Sequence, residues 1–245
     1  MSLALTACLA LVAALFASAG QAGAPGYVAV MSFFGHEPAT IKATALALTT
    51  LVAIIGVAGF HRAGILKARD WAPFALLGVP GAVAGGLIDL PVATFRIAMT
   101  IILLAAGAQM AWAARMTEAL DQRALDKPPL WPAIICGGVS GFLAGITGSG
   151  GGLFIAASML ILKWAPTKRV AAAAQTSNLY TADAAFAALW FTHPALPSDL
   201  PQWALAAGLG GVLGVWLGSR YLPARALRYM LAAILFLSGM LLAAG

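Results

Sequence analysis

The hydrophobic and polar positions of this chain form long apolar runs with short polar breaks between them. Ten apolar segments can be delimited, at 2–19, 26–35, 39–60, 71–90, 91–115, 131–147, 151–163, 167–191, 203–222 and 223–244. Several of them exceed the roughly 18 consecutive apolar residues that indicate a membrane-crossing helix. The pattern therefore predicts an all-α polytopic membrane protein.

A long polar connector near the middle of the chain, RMTEALDQRALDKPPL at 115–130, divides it into two halves that match in sequence. The offset between matching positions is constant over the first part of each half and slightly larger over the last part. It pairs Cys8 with Cys136, Pro38 with Pro166, Trp71 with Trp203, Pro91 with Pro223 and Arg96 with Arg228. We therefore predict a duplicated architecture, with a first membrane repeat at 1–115, a linker at 116–130 and a second membrane repeat at 131–245.

Composition supports a membrane protein and argues against other classes. The chain is 62% hydrophobic and 9% charged, whereas soluble domains carry about 25% charged residues. The N-terminal stretch up to Ala19 is apolar with no lysine or arginine before it, which favours a first membrane segment over a cleaved signal peptide. The net charge of +6 comes from residues spread over several short loops, which indicates membrane orientation more than nucleic-acid binding. Cys8 and Cys136 both lie in apolar stretches and predict neither a disulfide framework nor a metal site.

The basic residues predict that the two repeats have opposite orientations. Twelve of the fourteen fall in four places, which the positive-inside rule assigns to the cytoplasm: Arg62, Lys67 and Arg69; Arg115, Arg123 and Lys127; Lys163, Lys168 and Arg169; Arg220, Arg225 and Arg228. Segment 39–60 then runs inward, whereas its counterpart 167–191 runs outward. The two exceptions, Lys42 and Arg96, are expected near outer helix ends, where they snorkel to the interface.

Glycine-rich breaks occur at matching places in the two repeats, GQAGAPG at 20–26 and GITGSGGG at 145–152. Segments 131–147 and 151–163 would be about 25 and 20 Å long as helices, short of a bilayer core of roughly 30 Å. Each break is therefore expected to join two half-helices. The predicted fold has two inverted-topology repeats, each with a glycine-broken helical hairpin and three transmembrane helices. Secondary transporters commonly have this architecture.

The breaks are candidate anion sites, because the first N–H groups of a restarting helix have no intrahelical partner and carry the positive end of its dipole. Close helix packing is the alternative reason for glycines, and we favour it for those at 208–218. The same helices carry further polar candidates. Residues 175–183 read QTSNLYTAD, and their counterparts in the first repeat include TT at 49–50. The expected substrate-binding residues are Gln21, Gly23, Thr49, Thr50, Thr147, Ser149, Gly150, Gly151, Gly152, Gln175, Ser177 and Asn178. Asp183 is either a proton acceptor for coupling or a hydrated acid near the outer surface.

The stretch GFLAGITGSGGGLFIAASMLILKWAPTKRVAAAAQTSN at 141–178 and its weaker repeat resemble the TauE/SafE sulfite exporter family, also called the toluene-sulfonate uptake permease family. The first repeat departs from the pattern, since GQAGAPG replaces the expected glycine triplet. The resemblance implies a carrier in the bacterial inner membrane that exports sulfite or a small organosulfonate by alternating access. Proton coupling, the substrate and the direction of transport stay open. The implied partners are a small anion and membrane lipid, with no cofactor or nucleic acid, and a homodimer is left open.

Two other functions deserve a comparison. An inverted-repeat exporter of another metabolite, such as amino acids, suits the same ten segments. An intramembrane serine protease is suggested by GVSG around Ser140, but it needs a histidine base on a neighbouring helix. The histidines are His36, His61 and His193, all in or beside predicted loops. We therefore prefer the transporter.

Overall fold

The computed structural model describes residues 2–122, 127–192, 196–220 and 224–244, and those residues fold into helices without a strand. The helices in chain order are α1 (Ser2–Ser18), α2 (Ala24–Phe33), α3 (Pro38–Arg62), α4 (Ala68–Gly86), α5 (Val92–Gln122), α6 (Leu130–Thr147), α7 (Gly152–Ile161), α8 (Thr167–Thr192), α9 (Leu200–Arg220) and α10 (Ala224–Ala244).

The helices confirm the ten apolar segments and the all-α class. Four helical stretches in the described part of the chain are long and apolar enough to cross a membrane: Pro38–Arg62, Val92–Arg115, Leu130–Thr147 and Leu200–Leu217. The chain is thus a multi-pass membrane protein. One boundary differs from expectation, because α5 continues to Gln122 and makes the first part of the predicted polar linker helical.

The two glycine breaks have matching backbone conformations at their turns. Gly20 and Gly148, which the sequence match places at equivalent positions, have φ angles of 75° and 72°. Gly35 and Lys163, paired by the same offset, follow α2 and α7 with φ angles of 76° and 55°. The hairpins α1–α2 and α6–α7 therefore repeat one local design, which supports duplication at the level of backbone geometry.

The helix partners follow the same correspondence. Helix α1 packs against α9, and its counterpart α6 packs against α4, which is the counterpart of α9. Helices α3 and α8 pack together, as do α5 and α10. Each repeat thus packs its broken hairpin against the other repeat. The opposite membrane orientation of the repeats and the limits of the two membrane units stay predictions.

Glycines allow the closest of these helix contacts. A Cβ at Gly141 would overlap the Gly78 carbonyl oxygen of α4, so only glycine permits this approach. In α9, a Cβ at Gly210 or Gly214 would overlap a backbone carbonyl of α1, which confirms packing as the role of these two glycines. Ser140 of the GVSG sequence lies in the α4–α6 contact and donates to the Gly137 carbonyl at 3.0 Å. This sequence therefore has a packing role, whereas His193 lies outside the described residues.

Side chains from α3 and α8 bind the two ends of helix α4. Lys42 of α3 is 3% exposed and donates from Nζ to the carbonyl of Gly86 (2.9 Å), the last residue of α4, and to that of Ile88 (2.8 Å), just beyond it. At the other end, Arg169 of α8 forms a buried ion pair with Asp70, its Nε lying 2.7 Å from Oδ2. The expectation that Lys42 lies near an outer helix end stays a prediction. Its ammonium group lies at the C-terminal end of α4, where it bonds to carbonyls without helical partners and lies 3.9 Å from the Asp89 carboxylate.

Candidate functional site

The two helix breaks meet each other inside the protein. A Cβ at Gly150, in the second break, would lie 3.4 Å from the Cβ of Ala24, where α2 restarts after the first break. It would also lie 2.7 Å from Oδ1 of Asn178 on α8. A side chain at position 150 would therefore fill the space between α2, α7 and α8. This meeting point brings the predicted residues Gly150 and Asn178 of the second repeat beside the start of α2 in the first.

The first amides of α7 have side-chain partners on α8. The Gly151 N–H donates to Thr181 Oγ1 at 3.0 Å, and the Gly152 N–H donates to Asn178 Oδ1 at 2.7 Å. These two amides thus have no partner within α7, and side chains of α8 occupy them in this conformation. Since the Gly152 N–H requires an oxygen, Asn178 directs Oδ1 to that amide. Its NH₂ group, the end that can donate, also lies beside the break, because a Cβ at Gly152 would lie 2.6 Å from Nδ2. Thr181, which was not among the predicted site residues, caps the break.

The hydroxyl groups of the second break bond to each other. Thr147 Oγ1 donates to the Leu143 carbonyl at 2.6 Å, and Ser149 Oγ lies 2.8 Å from Thr147 Oγ1. Because a hydroxyl has one proton, Ser149 is the donor in the second contact. Both protons are therefore used within the break, and Thr147 and Ser149 stabilise its shape in this conformation.

Gln175 is a fully buried polar residue of α8 that contacts α3. Its side chain is fully buried, and Nε2 donates to the Val52 carbonyl at 3.3 Å. A Cβ at Gly56 would overlap the Gln175 amide, so a glycine on α3 makes room for it. The Gln175 Oε1 atom is buried without a hydrogen-bond partner. The amide is therefore held loosely, with unused hydrogen-bonding capacity.

Thr49 and Thr50 lie on α3 shortly before Val52, whose carbonyl accepts from Gln175. Thr49 lies three residues before Val52, hence on the face of α3 that receives Gln175. The hydroxyls of both threonines are buried and have no partner. A threonine in a helix normally donates to the carbonyl one turn back, as Thr176 does to Ala172 at 2.9 Å. Thr49 and Thr50 are thus left with donors for another group.

The first break contributes Gln21, Gly23 and a residue that the sequence analysis missed. Gln21 is 6% exposed, and Gly23 precedes α2 with a φ of 89°. A Cβ at Gly23 would lie 2.9 Å from the hydroxyl of Tyr27, which is fully buried and without a partner. Tyr27 follows Gly23 by four residues, which is one helical turn. That spacing is the signal that could have identified it.

Ser177 and Asp183 lie apart from this meeting point. Ser177 Oγ donates to the Ala173 carbonyl at 2.8 Å and accepts from the Tyr180 hydroxyl at 2.9 Å. Asp183 is exposed in a groove of about 590 Å³ between α4 and α8, which Tyr180 also lines. The structure therefore does not bring Asp183 together with Gln175 and Asn178.

The described site consists of neutral hydrogen-bonding groups in a buried setting. A buried polar group without a partner costs about 1–3 kcal/mol, and four lie close to the breaks or to the α3–α8 contact, on Tyr27, Thr49, Thr50 and Gln175. Together with the NH₂ group of Asn178, they can bind a small polar solute by hydrogen bonds. Lys42 contacts Gly148 through its backbone, but its ammonium group is directed to α4.

Comparison with known proteins gives two findings. A family model described as "Sulfite exporter TauE/SafE" matches residues 5–242. The chain is also 41% identical over 229 residues to "Probable membrane transporter protein y4hK" of Sinorhizobium fredii (strain NBRC 101917 / NGR234), an alignment that covers 94% of this chain and 93% of that protein.

Proposed function

The chain belongs to the sulfite exporter TauE/SafE family and is a membrane transporter, and we propose that it exports sulfite or a small organosulfonate across the bacterial inner membrane by alternating access. The family model's own description supports a sulfur oxyanion as the substrate. The match covers both broken hairpins, so the proposal applies to the whole chain.

The observation that carries the proposal is the set of buried polar groups without partners at the first break and at the α3–α8 contact. Tyr27, Thr49 and Gln175 come from α2, α3 and α8, so both repeats contribute to the set. A small oxyanion has several acceptor oxygens and could accept from the hydroxyls of Tyr27 and Thr49 and from the second N–H of Gln175 Nε2. The unpartnered Oε1 of Gln175 is itself an acceptor and would not bond to the anion. Neutral donors bind an anion less tightly than a buried cation does, which suits a carrier that must also release its substrate.

Alternating access is supported by the packing of each broken hairpin against a helix of the other repeat. Because α1 packs on α9 and α6 packs on α4, each broken hairpin belongs to one repeat and contacts the other. A rocking motion of one repeat against the other would then open the meeting point of the breaks to one side at a time. The Asp70–Arg169 ion pair joins α4 of the first repeat to α8 of the second, so the proposed motion would have to pivot at this contact.

Asp183 is the proposed proton acceptor for coupled transport. A carboxylate on a membrane helix costs about 2.5–3.5 kcal/mol at the bilayer centre, and Asp183 is exposed to the groove between α4 and α8. Taking up a proton would remove that cost. If Asp183 couples transport to protons, Asp183→Asn will retain substrate exchange but lose the response to an imposed pH gradient.

Transport by purified protein in liposomes tests the function. Proteoliposomes loaded with sulfite should lose it faster than protein-free liposomes, and excess organosulfonate should slow that loss. Gly150→Leu, whose side chain would fill the meeting point, and Gln175→Ala should both reduce the rate. Thr176→Val is the matched control, because Thr176 bonds to its own helix. Wild-type rates from Gly150→Leu and Gln175→Ala would exclude the site. Competition by neutral amino acids in place of sulfite would favour the other class of exporter.

A further inference from the structure

A second cavity with a charged wall lies away from the helix breaks, where α2 ends and α3 and α5 begin. It encloses about 640 Å³ and is lined by residues of α1, α2, α3, α5 and α10. Small-molecule sites in proteins typically have volumes of about 300–1,000 Å³. The cavity is therefore large enough for an organic molecule, and far larger than a bare inorganic oxyanion requires.

The cationic group of this cavity is Arg96, near the start of α5. Arg96 is half-buried, and its Nη2 donates to the Leu242 carbonyl of α10 at 3.3 Å, which is the acceptor that the structure describes for it. A guanidinium has five N–H donors in a planar fork that matches carboxylate and phosphate groups. Most of those donors are thus available to a ligand. The contact with α10 fixes one edge of the fork and keeps Arg96 at the cavity wall.

The other polar groups are uncharged or weakly basic, and they accompany a mostly apolar lining. His36, Ser32 and Ser238 line the cavity with Arg96. The ring of His36 packs edge-on against Trp203, with 5.8 Å between centroids, which holds the imidazole in place. The aromatic rings of Phe34 and Phe95 supply part of the apolar wall. One cation and a few donors beside an apolar surface match a molecule with a charged head and an apolar body.

We infer that this cavity binds an amphipathic organic monoanion, with its carboxylate or phosphate ester head on Arg96 and its apolar body against the aromatic wall. Such an anion could be a soluble carboxylate or the headgroup of an anionic lipid, and the shared chemistry is what the site recognises. The inference does not depend on the proposed transport function, because no residue of the meeting point of the breaks lines this cavity.

The two cysteines of the chain offer a test that does not measure transport. Cys8 lines the cavity, whereas Cys136 lies on α6 outside it. In nanodiscs of zwitterionic phosphatidylcholine, 3-phenylpropionate should slow the alkylation of Cys8 by N-ethylmaleimide and leave the rate at Cys136 unchanged. Acetate has only the head, and 3-phenylpropanol has only the body, so each should protect Cys8 much less at equal concentration.

Charge variants and lipid composition complete the test. Arg96→Gln should raise the concentration for half-protection at least tenfold, Arg96→Lys should raise it less, and Arg62→Gln, an exposed cation outside the cavity, should match wild type. If an anionic lipid is the ligand, phosphatidylglycerol nanodiscs will protect Cys8 without added anion, and Arg96→Gln will abolish that protection. Equal protection of both cysteines, equal protection in Arg96→Gln, or no protection by either the carboxylate or the lipid would overturn the inference.

Discussion

Replacing Gln175 with methionine separates substrate binding from stability at the candidate site. Methionine has a similar length and volume, so the space beside Gly56 stays filled, but the amide is lost. The hydrogen bond that disappears is a long one, 3.3 Å to the Val52 carbonyl inside α3. Helix-to-helix hydrogen bonds in a membrane average only about 0.6 kcal/mol, and Oε1 has no partner to lose. We therefore expect a change in unfolding free energy of less than about 1 kcal/mol.

The effect on substrate binding should be larger. A hydrogen bond to a charged group contributes about 1.5–3 kcal/mol, and each 1.4 kcal/mol is roughly tenfold in affinity. Gln175→Met should therefore raise the KM for sulfite efflux roughly ten- to hundred-fold while the melting temperature in detergent stays close to wild type. A wild-type KM would refute the assignment of Gln175. A loss of transport that merely follows a large drop in melting temperature would refute the claim that Gln175 is loosely held.

Thr176→Val is the matched control for this experiment. Thr176 is the next residue on α8, and its hydroxyl donates to Ala172 of the same helix at 2.9 Å. Its replacement removes one polar atom and leaves the Gln175–Val52 hydrogen bond between α8 and α3 in place. Both KM and melting temperature should stay near wild type.

Three further predictions concern packing, the buried ion pair and topology. Gly141→Ala should destabilise the protein by about 1–3 kcal/mol in thermal melts, because its Cβ would overlap a backbone carbonyl of α4, whereas Gly208→Ala, with its nearest atom at 3.5 Å, should change stability little. Asp70→Asn should cost about 3–5 kcal/mol in the same assay, because it removes the buried carboxylate that pairs with Arg169. Gly35→Cys and Lys163→Cys, at equivalent positions of the two repeats, should react with a membrane-impermeant maleimide from opposite sides of the membrane.

Each of these predictions has a result that contradicts it. Equal melting temperatures for Gly141→Ala and Gly208→Ala would mean that α4 and α6 are not in backbone contact. A wild-type melting temperature for Asp70→Asn would mean that the ion pair is solvated. Labelling of Gly35→Cys and Lys163→Cys from the same side would exclude an inverted repeat, and a cysteine at exposed Arg62 serves as the marker for the predicted cytoplasmic side.

The sequence by itself determined the helices and the places where they break, and it predicts the duplication. Apolar run length and glycine or proline punctuation act over a few residues, so the segments at 39–60 and 131–147 became α3 (Pro38–Arg62) and α6 (Leu130–Thr147) with small shifts at their ends. The constant offset that pairs Pro38 with Pro166 also relates Gly20 to Gly148 in backbone conformation. Helix segments and breaks depend on residues that are close in sequence, so the sequence alone predicts them.

The tertiary structure alone decided which polar groups have a hydrogen-bond partner and which have none among the described residues. Asn178 and Thr181 cap amides that lie 26 and 30 residues away in the chain, and Arg169 pairs with Asp70 across 99 residues. Lys42 is buried because the end of α4 lies beside it, whereas Tyr27, Thr49 and Gln175 keep unpartnered polar atoms because no neighbouring helix offers a partner in the described part of the chain. A side chain's hydrogen-bond partner depends on which helices pack together, and the order of residues along a helix does not contain that information.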